Sequence, residues 1–484
     1  MKTNSRDPLP WALGTAVCLA NLSFHSVFYN FDGVACAIAV ELGDLFHLVH
    51  GNHLAYGFVG LGFYRLWQAF GYTGPAMLAL QTFDSLLGGA GAGVFCALLL
   101  DLKLPRRLAA AASAGLAVSF AYWFWSLEAQ VYLLGAFFLL LAAREAFRRP
   151  ARPWLLGCWH SLAILGHIGH ICFAPAALFL LWDARRKEGR RPARDIATYA
   201  LTGVIVVGAS YAAAAIFIVR PHTFDQWRVW LLGSAALTLQ KDFLWHGGYS
   251  WNGLRDWLWM APRLFTDLTV LKGAAAGLGL ATSLVALGAA AVGAVKKDFR
   301  ARAALLWLAA YAALFISWEP FTIVYRITDL IALWVLIALG CAGLKRPAAA
   351  VGIWVLVAGL LNWETAIEPR TRPENNEEYR QALWLASVTP PEAWIAATSL
   401  DQVYIPYFAH RRPLNLRYFL GHADALNDRL ARLDAAGQPV YLTSTTLSRD
   451  GWDGFFKAYG LVESSRLDKE TLYLVINGKP SGKR

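Results

Sequence analysis

The chain has 484 residues, 57% of them hydrophobic and only 16% charged, with a net charge of +11. A soluble domain carries about 25% charged residues, so a single water-soluble globule is excluded, and repeated apolar runs of roughly 20 residues are too many for one anchor. The positive charge is not a nucleic-acid footprint: Lys and Arg concentrate in short connections between apolar runs, and the segment after residue 363 is close to neutral.

Such runs point to a polytopic helical bundle, because helices satisfy their own backbone polar groups in lipid. The 21 Trp and 18 Tyr fit interfacial belts. The cysteines are Cys18, Cys36, Cys96, Cys158, Cys172 and Cys341, and no pair has metal-ligand spacing. Neither a disulfide framework nor a zinc site is expected.

Lys2 and Arg6 precede the first apolar run, which Asn21, Ser23 and His25 interrupt without a small-residue cleavage site. It reads as a retained first helix rather than a cleaved signal. Spans are expected at about 10–30, 75–100, 107–127, 129–147, 153–168, 169–184, 196–219, 265–294, 302–318, 322–344 and 347–363. The pair at 153–184 is short, and its break at HIGHICFAP reads as either a hairpin or one bent segment.

Basic residues mark alternate connections: Lys103, Arg106 and Arg107; Arg144, Arg148, Arg149 and Arg152; ARRKEGRRPAR at 184–194; KKDFRAR at 296–302; and Lys345–Arg346. By the positive-inside rule these are cytoplasmic. The N-terminus is then cytoplasmic, and 31–74, 220–263 and the C-terminal segment lie outside the inner membrane. That arrangement needs an odd number of spans, about eleven by this count. It leaves 54–70, LAYGFVGLGFYRLWQAF, as a re-entrant or interfacial helix. The outer loop at 220–263 contains LTLQKDFLWHGGYSWNGLRDWLWMAP, which reads either as a cavity lid or as a Trp-rich helix on the lipid surface.

After the polar, Pro-containing stretch WETAIEPRTRPENNEE the character changes, giving a membrane domain at 1–363 and an extracytoplasmic domain at 364–484. In the latter, helix is expected at 379–389, strand at AWIAATSL, helix at DQVYIPYFAH and strand at PLNLRYF. ALNDRLARLDAAG then reads as a helix ending on Gly437, PVYLTST as a strand, 451–459 as a helix and TLYLVI as a strand. The alternation implies a small α/β domain with a largely parallel sheet.

The stretch richest in chemistry is 31–56, FDGVACAIAVELGDLFHLVHGNHLAY, which sets Asp32, Glu41, Asp44, His47, His50 and His53 at a membrane edge. Ionisable groups are costly near hydrocarbon, so they mark a candidate site. Asp32 reads as a general base or, equally, as the N-cap of the following helix. Glu128, between two apolar segments on the same expected face, reads as a partner of that base or as a surface acid. His50 and His53 suit donation to a phosphate. With His47 they also admit a divalent metal, but no HExxH-like spacing exists and the site is expected to hold none. His167 and His170 lie at i, i+3 near the same side and suit either local hydrogen bonds or a headgroup. Arg326 suits phosphate recognition or snorkelling, and the sequence does not separate the two.

The order of these features resembles the GT-C superfamily of polytopic glycosyltransferases, in particular the protein O-mannosyltransferase-like group. FDGVACA at 31–37 is similar to its acidic motif after the first span, and HGNHLAY at 50–56, ending on Tyr56, to its HPPGYPLY-like segment. FWSLEAQVY at 124–132, LAILGHIGH at 162–170 and WEP at 318–320 are similar to its W-then-EVY, G-L-x-x-L-x-H and W-x-P stretches. The second acid of the first motif is replaced by Gly33–Val34, and the proline pair by Gly51–Asn52, leaving Glu128, Glu41 and Asp44 as candidates for the assisting carboxylate.

The resemblance implies transfer of a sugar, mannose in that group, from a polyprenyl-phosphate donor to a protein, lipid or glycan hydroxyl at the outer face. Asp32 would deprotonate the acceptor in one inverting displacement, and His50, His53 or Arg326 would receive the leaving phosphate. Two other classes compete: a transporter or flippase of a lipid-linked or polar solute, and a membrane scaffold. Against the first, no repeat relates the chain halves; the second leaves the acidic and histidine cluster unexplained.

Overall fold

The computed structural model describes residues 7–232, 249–398, 401–449 and 451–476. The chain divides into two compact units, Met1–Ser26 with Ala39–Thr371 and Val27–Ile38 with Arg372–Arg484.

The first unit is helical, and each apolar segment expected to span contains a helix. Among the described residues seven helices are long and apolar enough to cross a membrane by length and composition: Ala76–Asp101, Ile168–Lys187, Ala193–Val219, Gly273–Ala294, Phe299–Ser317, Ile323–Cys341 and Pro347–Thr371. The pair Arg106–Val118 and Phe120–Ser126 makes an eighth, bent by 65°. Ser119 sits at the bend in an extended conformation. Its Oγ donates to the Gly115 carbonyl at 2.7 Å and accepts from the Trp334 indole at 3.0 Å. The bend is therefore bonded into the bundle. Leu9–Leu22, Tyr132–Phe147 and Pro153–Gly166 are shorter, at 14, 16 and 14 residues.

Helix Ile327–Cys341 is buried along its entire length. A Cβ at Gly340 would lie 2.1 Å from the Ala289 carbonyl, and one at Gly293 2.0 Å from that of Leu336. Glycine at both positions lets the two backbones meet, which is how helices gain contact where lipid offers no hydrophobic drive.

The basic connections meet at one end. Arg149 pairs with Asp183 at 2.6 Å, Arg300 donates to the Leu102 carbonyl at 2.5 Å, and Lys187 lies 4.6 Å from the Phe299 ring centre. The segment at 54–70 forms helix Tyr56–Ala69. In the 220–263 loop, Phe224–Leu232, Trp251–Met260 and Ala261–Leu264 are helical, while residues 233–248 lie outside the described ones. The 153–184 stretch breaks at His167, whose backbone is extended at φ −161° and ψ 125°.

The second unit is an α/β fold around five strands: β1 (Trp394–Ala397), β2 (Arg412–Asn415), β3 (Val440–Thr443), β4 (Gly460–Leu467) and β5 (Glu470–Ile476). Their order is β2-β1-β3-β5-β4. β1 runs parallel to β2 and β3, whereas β5 is antiparallel to both β3 and β4. The sheet is thus less parallel than expected, because β4 went unread. GLVESSRL is a polar edge strand without an apolar run, and charge on an edge is how sheets discourage further pairing. Leu414, Leu426, Leu430, Leu433, Leu442 and Phe456 form the unit's own core.

Candidate functional site

Asp32 lies in helix Phe31–Leu42, but it is not the cap. Asn30 takes that role: its side chain accepts from the Gly33 amide at 2.9 Å and its carbonyl from the Val34 amide at 3.0 Å. Asp32 is an exposed carboxylate in the first turn. An acid there is favoured by the helix dipole by about 0.3–1 kcal/mol.

In the first unit, Glu128 is fully buried and accepts a short hydrogen bond from the Ser26 hydroxyl. The Ser26 carbonyl in turn accepts from Gln81 at 2.8 Å. Beside it stands Asp84, also fully buried, on helix Ala76–Asp101. Asp84 Oδ2 accepts from the Tyr56 hydroxyl and the Gln130 amide, both at 2.7 Å, and Oδ1 has no partner among the described residues. One buried carboxylate therefore ties the segment ending in Tyr56 to the loop carrying Glu128.

The 50–56 segment is seated by its backbone. The Gly51 carbonyl accepts from the Tyr211 hydroxyl at 2.6 Å, that of Asn52 from the Ile168 amide at 2.7 Å, and the Ala55 amide donates to Leu165 at 2.9 Å. A Cβ at residue 51 would lie 2.0 Å from the Trp230 carbonyl, so glycine is required. His50 and His53 stack with ring centres 4.1 Å apart.

Burial strips water from the protonated imidazole of His53, and the His50 and His167 rings oppose a further positive charge, so its pKa falls well below the usual 6.5. His53 is neutral at pH 7 and keeps one N–H to donate. Because the unfolded chain takes up this proton first, stability present above about pH 6.5 is lost as the pH falls towards the folded-state value. A thermal unfolding series against pH should show that slope in wild type and a flatter one in His53→Gln. An unchanged slope counts against a neutral His53.

His167 is buried beside Tyr132, Tyr325 and Trp318, with ring centres 4.9, 6.0 and 6.4 Å away. His170 is buried too: Nδ1 pairs with the Tyr311 hydroxyl at 2.9 Å, while Nε2 has no partner among the described residues. His167 thus faces the aromatic cluster, and His170 reaches into the bundle.

Arg326 does not snorkel. It is fully buried, donating from Nε to Asp329 at 2.9 Å and from Nη1 to the Trp257 carbonyl at 2.6 Å, with its guanidinium 4.7 Å from the Trp257 ring centre. Glu41 and Asp44 are exposed and serve helix starts. Glu41 accepts from the Ala76 amide at 2.7 Å. Asp44 caps Leu45–Leu48, and the Phe46 amide and then His47, 2.6 Å away, hold its pKa below the ordinary carboxylate value. Of the candidates for an assisting carboxylate, only Glu128 is buried. Among the described residues no three His, Cys, Asp or Glu side chains converge as metal ligands.

Asp84 and Asp329 went unread in the sequence. Each lies in an apolar run, and the cost of charge in hydrocarbon applies to them as it does to Asp32. Asp329 also stands three residues after Arg326, on one helix face.

No family model and no curated protein matches this sequence. Solved structures do. The fold is similar to that of ArnT from Cupriavidus metallidurans, both bound to undecaprenyl phosphate and in the apo state. Each has a TM-score of 0.63 at 13% identity, over 96% of this chain and 97% of that one. It is also similar to the apo oligosaccharyltransferase of Archaeoglobus fulgidus, with a TM-score of 0.53 at 12% identity, over 95% of this chain and 74% of that one.

Proposed function

We propose, from the GT-C fold that this chain carries nearly end to end, that it is a membrane glycosyltransferase drawing a sugar from a polyprenyl-phosphate donor. The observation that supports this most is the match along almost the whole of both chains to a protein that binds undecaprenyl phosphate. Mannose is the sugar that the motif resemblance implies.

In this reading Asp32 takes the proton of the acceptor hydroxyl as its oxygen attacks the anomeric carbon. The new C–O bond forms as the bond to the donor phosphate breaks, inverting the centre. The polyprenyl phosphate leaves with the bonding electron pair. His50 and neutral His53 supply N–H donors where that charge develops, and fixed donors act best there. Glu128, held by Ser26, is the assisting acid. His167 with its aromatic neighbours, His170 and Tyr56 hold the wall of the site. Asp84 anchors Tyr56 and the Glu128 loop. The lipid chain stays among the helices on the outer face of the inner membrane, the side opposite the basic connections.

The test is transfer of radiolabelled sugar from synthetic polyprenyl-phosphate donors by the purified full chain, given crude native acceptor. Incorporation above a heat-inactivated control is expected. No transfer with any donor, from a monodisperse sample, would favour the transporter reading.

A further inference from the structure

The residues just before Asp32 do not belong to the compact unit that holds helix Leu9–Leu22, which precedes them in sequence. Val27–Ile38 groups with Arg372–Arg484, far along the chain. Hydrogen bonds and ring contacts join the two segments. The side-chain amide of Asn376 donates to the carbonyls of Val27 at 2.6 Å and Phe28 at 2.8 Å. The Tyr404 hydroxyl donates to the carbonyl of Tyr29 in a short hydrogen bond. The Tyr29 ring packs on Tyr379 and Phe408, with centres 5.1 and 4.9 Å away. Asn376 and Tyr404 are themselves buried, at 5% and 6% exposure, so water competes little for these bonds.

The backbone they hold is an unusual one. Tyr29 sits at φ +48°, in the left-handed region that bulky residues avoid. A residue there is strained and persists only where its surroundings over-determine it. Consecutive carbonyls of Val27, Phe28 and Tyr29, each engaged by a buried donor, supply that over-determination. One residue later Asn30 caps the helix, and two residues after that comes Asp32. Asn376 also caps helix Glu377–Val388, its Oδ1 accepting from the Tyr379 amide at 2.9 Å. A single amide therefore serves both the C-terminal unit's own helix and the strained backbone that leads to the carboxylate.

We infer that the C-terminal unit is a positioning device for the base: Asn376 and Tyr404 are positioning residues that fix the Val27–Tyr29 backbone and so aim the first turn carrying Asp32. This rests on the transferase reading with Asp32 as base. It assigns the segment Arg372–Arg484 a part in the reaction although that segment contributes no reacting group of its own. The energetic logic is that of a preorganised site: a displacement of about 1 Å from a change remote from the chemistry can cost about 10²-fold in rate.

Asn376→Asp tests it cleanly. The carboxylate retains the oxygen that caps Glu377–Val388 but loses both N–H donors to Val27 and Phe28. Tyr404→Phe retains the ring and loses only the hydroxyl. In each full-length variant, kcat for sugar transfer should fall by about 10- to 100-fold, with KM for the donor unchanged. The circular dichroism spectrum should stay that of wild type, while the thermal midpoint falls modestly because buried carbonyls lose their donors. Hydrogen exchange supplies a readout independent of activity: the Gly33 and Val34 amides, which close the first turn onto Asn30, should exchange faster in both variants. Wild-type kcat in both variants, or unchanged exchange at those amides, overturns the inference. If wild type transfers no sugar the functional reading fails instead, and the exchange rates still decide whether Asn376 and Tyr404 hold the segment.

Discussion

Replacing Asp32 with Asn should reduce sugar transfer by roughly 10²- to 10⁴-fold, the range that a positioned general base supplies. Asn has the same size and fits the first turn of helix Phe31–Leu42, but it cannot take a proton from an attacking hydroxyl. Since Asp32 is exposed and Asn30 does the capping, the substitution removes no cap, and the lost dipole interaction costs about 0.3–1 kcal/mol. Initial rates and unfolding midpoints for wild type, Asp32→Asn and Asp32→Glu separate the two effects. A large rate loss at near-wild-type stability supports the base. Transfer by Asp32→Asn at the wild-type rate removes Asp32 from the mechanism, and Glu128 then becomes the carboxylate to test.

Arg326→Met should be the most destabilising single substitution proposed for this chain, by about 3–5 kcal/mol. Both members of the Arg326–Asp329 pair are essentially inaccessible, at 1% and 0% side-chain exposure. Asp329 Oδ1 already has no partner among the described residues. Without the guanidinium, Asp329 is a buried charge left with the Trp257 indole as donor, 3.1 Å from Oδ2. Arg326→Met with Asp329→Leu removes both charges and should recover most of the loss, since apolar replacements of a buried pair are often neutral. Thermal unfolding in detergent checks this: equal losses in the single and double variants would mean that the pair is not the reason. Transfer by the double variant then asks whether Arg326 also meets the donor phosphate. An active double variant assigns it a structural role alone.

Much of the architecture is legible in the linear chain. The apolar runs and the basic connections locate the helices and the end where the charged loops meet, and the alternating pattern after 379 announces an α/β fold. These are properties of composition and period, and lipid enforces them strongly because an unpaired backbone or a stray charge is so costly there. Asp32, Glu128, His53 and His167 stand out for the same reason. Asp84 and Asp329 were equally legible by that cost, yet a single acid inside an otherwise perfect apolar run is easily read past.

Other features depend on which distant segments meet. Nothing near residues 27–38 shows that they group with a unit beginning at Arg372, because the partners, Asn376, Tyr379, Tyr404 and Phe408, lie some 350 or more positions away in sequence. Nor does local sequence tell Asn30 from Asp32 as the cap, since both types cap well and only the backbone turn selects one. Arg326 could be read as snorkelling or phosphate-binding until its fork was seen engaged by Asp329 and Trp257. Composition and hydropathy act on each residue's own cost of burial, so the sequence alone determines a polytopic helical chain with a small α/β unit and a charged edge. Hydrogen-bond partnership and helix bends depend on pairwise geometry between remote segments, so only the tertiary structure decides which acid is buried and which residues hold the candidate base.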